Sequence, residues 1–397
     1  MKIIQVNTVL NTGSTGRIAE QIGEAAIGRG HTSLVAYGRW ASKSASRTYK
    51  VGGLRDVIFH GVESLLFDRQ GLASRGATAK LVAWLEIEKP DAIGLHNLHG
   101  YFLNFPILFD YLRRSRLPVV WTLHDCWPFT GHCSNFDRFH CSKWEDECFK
   151  CPMTYHYPRS LLDHSRRNFR RKKDLFIGLA DMTLVTPSKW LRNIVGRSFL
   201  SEHPIQVINN GVDLDVFKPV ERDGEEILVL GVANVWSDRK GLEDFKRIRE
   251  SLPPSFRVVL IGVTELQKRF LPKGIEGISR TESVAELVNW YQKATVFVNP
   301  TYSDNFPTTN IEALACGVPV VTYQVGGSPE ALDDLTGRVV SPGDLKRLAS
   351  AIVELAGGDR LVARNRCRAR AEKLFNKDDR FSEYIDLYES LVSAQAD

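Results

Sequence analysis

Nowhere in the 397 residues is there an apolar run of the ~18 that a bilayer-spanning helix requires, so no such segment is expected. The start, Met1-Lys2-Ile3-Ile4-Gln5-Val6, runs into a strand-like pattern without the charged, apolar and small-residue regions of a signal peptide, which points to the cytoplasm. Internal repeats and low-complexity tracts are missing, which excludes a repeat array. His-Glu-x-x-His and Walker-type loops are missing too, which removes the metalloprotease and P-loop chemistries those patterns carry. Cysteine is sparse, seven in all, and a cytoplasmic setting argues against a disulfide scaffold. Five of the seven, Cys126, Cys133, Cys141, Cys148 and Cys151, nevertheless fall close together.

What is present describes a globular protein: 43% hydrophobic and 25% charged residues, with a length that suits two domains at roughly 150 residues each. The net charge of +5 is unevenly spread, with 28 Lys and Arg against 17 Asp and Glu in residues 1–200 and 24 against 30 in residues 201–397. An anionic partner should prefer the first half. There Arg166, Arg167, Arg170, Arg171, Lys172 and Lys173 form a block suited to anionic lipid, nucleic acid or an acidic substrate, or else to a solvated helix face.

Strand-like runs alternate with helical patterns along the whole chain, the rhythm of parallel sheets with crossover helices, so the class is α/β. Strands are expected at 2–6, 33–37, 91–95, 119–123 and 182–186, and again at 205–208, 227–232, 257–261, 295–299 and 319–322. Two sheets is the economical reading. The boundary is placed where Ser201-Glu202-His203-Pro204 interrupts the pattern, giving domains 1–203 and 204–379. Phe381, Ile385 and Tyr388 recur at helical spacing and line one apolar face of a last helix, 380–397. Open α/β sheets bind ligands beyond the carboxyl ends of their strands, so the active site is expected in the cleft between the sheets.

The stretch from Thr301 to Val321 is the most informative, because it follows a strand and opens a helix. Backbone amides at such a helix start bind anions, so a phosphate fits over Thr308 and Thr309 without a metal. Asp304 before the helix and Glu312 in its first turn can face one cleft and accept hydrogen bonds from sugar or ribose hydroxyls. Thr309-x-x-Glu312 is equally a capping box, in which Glu312 only satisfies a backbone amide.

An acidic residue, seven residues, then Glu-Ala-Leu-Ala-Cys-Gly-Val-Pro-Val-Val resembles the donor-binding signature of family 4 glycosyltransferases, of GT-B fold. Val207-Ile208-Asn209-Asn210-Gly211-Val212-Asp213-Leu214-Asp215-Val216-Phe217 resembles that family's interdomain segment, Lys240-Gly241 its phosphate-binding pair and Gly326-Gly327-Ser328-Pro329-Glu330 its loop beyond the donor. Trp121-Thr122-Leu123-His124-Asp125-Cys126-Trp127 is similar to transferases of capsule, colanic-acid or lipopolysaccharide biosynthesis. The resemblance implies two Rossmann-like domains facing a cleft, with the last helix packed back on the first. It also implies catalytic roles for His124 and Asp304, and donor contacts from Gly16, Arg239, Lys240, Asn305, Phe306, Thr308, Thr309 and Glu312. His96 and His99 beside Asn97, after another strand end, are candidates for the acceptor or for packing, and Asp125 for orienting His124.

Two positions depart from the family pattern. Asp304 stands where Glu is usual, and Asn234 where an arginine usually opens the phosphate loop, leaving Arg239 to supply that charge. Near the N-terminus Asn11-Thr12-Gly13-Ser14-Thr15-Gly16-Arg17 is not G-x-G-x-x-G, but its glycines allow a tight turn beside a ligand. Cys133, Cys141, Cys148 and Cys151 end in the C-x2-C spacing of a zinc knuckle, so structural zinc competes with packing thiols and disulfides.

The resemblance thus implies a retaining glycosyltransferase that needs no catalytic metal. It would move a hexose from UDP- or GDP-sugar to a saccharide or lipid-linked acceptor, peripherally at an anionic inner membrane face and without nucleic acid. Its rivals are a nucleotide-sugar epimerase of the same fold and a non-catalytic nucleotide-sugar-binding subunit.

Overall fold

A computed structural model describes every residue except 137, 138, 140, 222–225 and 397. The chain divides into two compact units, Met1–Ile208 with Phe381–Asp397, and Asn209–Arg380. Residue 397, where the expected last helix ends, lies outside the described residues.

The first unit holds one parallel sheet of β1 (Lys2–Asn7), β2 (Thr32–Tyr37), β3 (Arg47–Lys50), β4 (Ala92–Leu95), β5 (Val119–Thr122), β6 (Met182–Thr186) and β7 (Ile205–Val207). Their order is β3-β2-β1-β4-β5-β6-β7. β4, β5 and β6 are buried along their whole length. A parallel strand covered on both faces is a continuous apolar run, which is why those three were visible in the sequence. β3, Arg-Thr-Tyr-Lys at the sheet edge, is mostly exposed and carries no such run.

A correction concerns β7. The strand expected at 205–208 to open the second domain instead pairs with β6, Leu184 opposite Ile205, and closes the first sheet. Three residues without burial on both faces carry no local mark of the sheet they join.

The second unit repeats the plan with β8 (Ile227–Val232), β9 (Phe256–Ile261), β10 (Ile275–Ile278), β11 (Val296–Asn299), β12 (Val320–Tyr323) and β13 (Gly337–Val340), in the order β10-β9-β8-β11-β12-β13. In each sheet the chain winds outward one way from its first strand and then the other way. β1 and β4 therefore form the switch point of the first sheet and β8 and β11 that of the second, and in each sheet the loops leaving those two strand ends turn to opposite sides.

Both faces of each sheet are packed. In the first unit Phe109, Trp121 and Phe176 fill one face, while Ile3, Ile18, Ile22, Ala92 and Val185 cover the other together with Phe381, Ile385 and Tyr388. The helix Lys377–Ala396 carries that last stripe. No described helix is long and apolar enough to cross a membrane.

Candidate active site

At the first switch point the ends of β1, β4 and β5 bring three histidines together. Gln5 Nε2 donates to the Ala19 carbonyl at 2.8 Å, so its Oε1 must accept from His96 Nε2 at 2.9 Å. That leaves His96 Nδ1 as an acceptor, and His124 Nε2 donates to it at 3.0 Å. For neutral rings this places each proton shared between Gln5, His96 and His124. Burial drives the His96 pKa well below the usual 6.5. Burial likewise lowers that of His124 to about 4, against the opposing pull of Asp125.

Asp125 does not hydrogen-bond His124 as expected. Its Oδ2 stands 2.6 Å from His99 Nε2, and its Oδ1 accepts from the Trp127 amide at 2.9 Å. Burial alone would raise the Asp125 pKa, but the His99 ring and that amide hold it below the usual carboxylate range. His99 Nδ1 meets the Tyr157 hydroxyl at 2.9 Å, so this proposed acceptor residue is a buried member of a second relay. Asn97 is half-buried, its amide on Asn7 Oδ1 at 3.3 Å and its carbonyl accepting from Thr8 Oγ1 at 2.9 Å.

Gly16, in the first turn of the helix Gly13–Gly28, is pressed by its own loop. A Cβ there would lie 3.1 Å from the Asn11 amide and from Val9 Cγ2, and the Asn11 amide donates to the Gly16 carbonyl. The glycine lets the loop fold back on the helix start, where Thr12 provides no side-chain cap.

At the second switch point the loop after β8 meets the loop after β11. Lys240 Nζ pairs with Asp304 Oδ2 at 2.6 Å, and Arg239 Nη1 donates to the Ser303 carbonyl at 2.7 Å. The Arg239 carbonyl accepts from the Tyr302 amide, which locks the two loops together. Gly241 makes this approach workable: its φ is +78°, and a Cβ would lie 2.2 Å from the Pro300 carbonyl oxygen. Beneath the loops, buried Asp244 accepts from the hydroxyls of Tyr302 and Tyr323, both at 2.7 Å. Burial and that carboxylate push the Tyr302 pKa up to about 12.

The helix Thr308–Ala315 begins after Pro307, with no side-chain cap and no acidic residue in its first turn. Thr308 and Thr309 are half-buried at its start. The first amides of a helix have no intrahelical partner, so this uncapped start suits an anion. Glu312 therefore lies one turn deeper than expected and forms no capping box. Buried, it accepts from the Tyr291 hydroxyl at 2.9 Å. Asn305 is buried. Phe306 is corrected: its ring packs against Phe375 in the core, so its side chain serves packing rather than a donor.

Gln5, Tyr157, Asp244 and Tyr291 were missed. Gln5 had a usable signal, a polar residue inside a buried strand. Tyr291 had none, since it lies 21 residues from Glu312.

All four clustered cysteines are free thiols and line one small cavity. Buried His132 lies in the same wall, with Nδ1 on Asp68 and Nε2 without a hydrogen-bond partner among the described residues. Among the described residues no three His, Cys, Asp or Glu side chains stand close enough to hold an ion, so metal binding there requires the thiols to draw in. The basic block also needs correction. Lys172 is buried, its ammonium donating to the carbonyls of Trp127 and Thr130, and burial lowers its pKa to about 7. Arg166 and Arg170 both pair with Glu147.

Comparison with known proteins follows the same two-part division. A family model described as Glycosyltransferase Family 4 matches residues 15–216, and one described as Glycosyl transferases group 1 matches residues 226–357. A protein of Escherichia coli (strain K12), named for colanic acid biosynthesis as glycosyl transferase WcaC, is 22% identical across 98% of this chain and 100% of its own. The D-inositol 3-phosphate glycosyltransferase of Mycobacterium bovis (strain BCG / Pasteur 1173P2) is 29% identical over 50% of this chain and 46% of its own. Among solved structures, the sucrose-phosphate synthase of Thermosynechococcus elongatus superposes with a TM-score of 0.74 at 19% identity, over 99% of both chains. Anabaena Alr3699/HepE, solved with UDP and glucose, superposes at 0.68 with 17% identity, over 98% of this chain and 99% of its own.

Proposed function

The chain belongs to glycosyltransferase family 4, with the GT-B fold, and from that premise we propose that it transfers a hexose from a UDP- or GDP-sugar to a hydroxyl of a saccharide or lipid-linked saccharide. The relative named for colanic acid biosynthesis and the neighbour solved with UDP and glucose support a surface polysaccharide and a nucleotide-sugar donor. One observation carries the reading: the Lys240–Asp304 pair and Arg239 stand on loops at the second switch point, the loop after β11 leading into an uncapped helix start.

In this reading the diphosphate takes the helix amides and the two cations, which stabilise the charge that develops as the sugar–phosphate bond breaks. That is the work other transferases give to a metal, and it is the physical case for metal independence. Lys240 then exchanges its carboxylate for phosphate oxygens, freeing Asp304 for the sugar hydroxyls. Glu312 takes a ribose hydroxyl. The neutral imidazole of His124 positions a sugar hydroxyl without adding a second positive charge near the anomeric carbon. The anomeric carbon–phosphate bond breaks, a bond to the acceptor oxygen forms on the same face, and the acceptor proton passes to the departing phosphate. Retention results and no separate base is needed.

Screening melting temperature against UDP- and GDP-sugars identifies the donor, because a ligand at about 100 times its Kd adds roughly 2.7 kcal/mol of stability. NMR of the product in excess chelator then tests the reaction, and the expected product keeps the donor's anomeric configuration. An inverted linkage, or activity lost to chelation while the fold persists, refutes the mechanism. Free sugar nucleotide isomerised without acceptor identifies an epimerase, and binding without turnover a non-catalytic subunit.

A structural zinc at Cys133, Cys141, Cys148 and Cys151 remains a separate proposal, supported by their shared cavity and the unpartnered His132 nitrogen beside it. About one zinc per chain by elemental analysis is the outcome expected of a four-ligand site. Metal-free protein of normal stability refutes it.

A further inference from the structure

The helix Leu54–Phe67 is amphipathic in the wrong direction for a surface helix of a globular unit. It buries polar residues, His60 at 0% and Ser64 at 1% exposure, and turns apolar ones outward, with Leu54 at 73%, Ile58 at 57% and Phe59 at 62%. Val62 and Leu66 continue the exposed stripe at helical spacing.

The polar side is a designed attachment. His60 Nε2 accepts from the Gly71 amide at 3.0 Å, so Nδ1 carries the proton and donates to Ser74 Oγ at 2.8 Å. The helix is thus pinned by hydrogen bonds and presents its apolar face outward. Single exposed apolar residues are ordinary, whereas a contiguous run of them marks a surface meant to be covered.

The stripe continues beyond the helix. Leu161 donates its amide to the Leu65 carbonyl at 2.7 Å, which brings exposed Leu161 and Leu162 beside the helix end. Asp68, at the C-cap, accepts from the His164 amide and, through its carbonyl, from Asn168 Nδ2 at 2.7 Å. The basic helix Ser165–Phe176 is therefore joined to the end of the apolar one. Arg167 and Arg69 both stand close enough to Arg171 there for their like charges to act on it. Arg69 pairs with Glu63 at 3.2 Å, and among the described residues Arg167 and Arg171 have no carboxylate partner.

An apolar ridge bordered by two arginines, Arg167 and Arg171, unmatched by carboxylates is complementary to an anionic bilayer, whose hydrocarbon lies just beneath a layer of phosphate. We propose that the Leu54–Phe67 helix and the Leu161–Leu162 turn enter the surface of an anionic lipid bilayer, with Arg167 and Arg171 on its phosphates. This deepens the lipid-linked acceptor reading by giving it a docking surface. Its test reads vesicle binding rather than glycosyl transfer, so the two fail separately.

Co-sedimentation of the full chain with vesicles of phosphatidylcholine, alone or mixed with phosphatidylglycerol, is the experiment. Binding to the mixed vesicles is expected, falling with salt. Ile58→Asp combined with Phe59→Asp should weaken it about tenfold or more at unchanged melting temperature, because both side chains already lie in water. Arg167→Ala combined with Arg171→Ala should remove about tenfold of the preference for anionic over neutral vesicles. Phe59→Trp should add blue-shifted emission on the mixed vesicles alone. Equal binding by the double aspartate variant overturns the proposal, and so does absence of vesicle binding by the natural chain. A concentration-dependent dimer that the aspartate variant dissociates, without vesicle binding, assigns the face to self-association instead.

Discussion

The two switch points handle polarity in opposite ways. At the first, histidines are taken out of water and each proton is given one place, through the chain from Ala19 by way of Gln5 and His96 to His124. At the second, formal charges are kept, with Lys240 and Asp304 paired in partly exposed positions beside an uncapped helix start. A neutral, rigid relay suits the orientation of hydroxyls. A partly solvated ion pair suits exchange with an incoming anion, because its desolvation cost is low and its partner can be replaced.

The strongest way to break the comparison is Lys240→Ala. It removes the exchangeable cation and leaves Asp304 facing a phosphate, so kcat should fall about 10²- to 10³-fold, the usual cost of one charge-stabilising donor. Steady-state kinetics and nucleotide calorimetry check this. Near-normal turnover would remove Lys240 from the diphosphate site.

Glu312→Gln sharpens the second region. The Tyr291 hydroxyl keeps an acceptor, while a charge-assisted bond of about 1.5 to 3 kcal/mol is weakened, so nucleotide affinity should fall roughly 10- to 100-fold. With no capping box to lose, the melting temperature should change little. The reverse pattern would make the carboxylate structural.

His124→Ala probes the first region. Loss of a hydrogen bond of about 1.4 kcal/mol to the sugar should slow turnover roughly tenfold while nucleotide affinity changes less, so kcat and Kd must be measured together. Equal loss of both would mean that His124 supports binding alone.

Acid tests the buried neutral histidines through stability rather than turnover. His60 and His124 have pKa values of about 4, and His96 lies well below 6.5, so the unfolded chain binds protons that the folded chain refuses. Their contribution is fully present above pH 6.5 and is lost as pH falls toward 4. His132 opposes this, since burial is outweighed by the Asp68 carboxylate and its pKa is raised. Calorimetry from pH 7.5 to 4.5 should show a falling melting temperature. A flat profile would contradict the neutral relay.

Much of the fold was legible because its signals are local. The buried strands β4, β5, β6 and β8 announce themselves as apolar runs, whereas the edge strand β3 and the short β7 do not. Of the site, Lys240, Asp304 and the helix opening at Thr308 were legible from their motif. Phe306 was misjudged because a motif position does not say whether its ring faces a ligand or the core. The block around Lys172 was misjudged because one turn of helix places some of its cations outward and one beneath Trp127.

The sequence by itself determined the alternation of strand and helix, the family signature and the charge asymmetry, since each is carried by residue type and spacing within a few turns of chain. Only the tertiary structure decided which proton each histidine carries, which hydroxyl meets Glu312, and which side of the Leu54–Phe67 helix meets water. The physical reason is separation along the chain: His96 takes its tautomer from Gln5, 91 residues away, and passes it to His124, 28 residues on. Hydrogen bonds and burial act between residues brought together only when the sheet closes, so no window of sequence contains both partners.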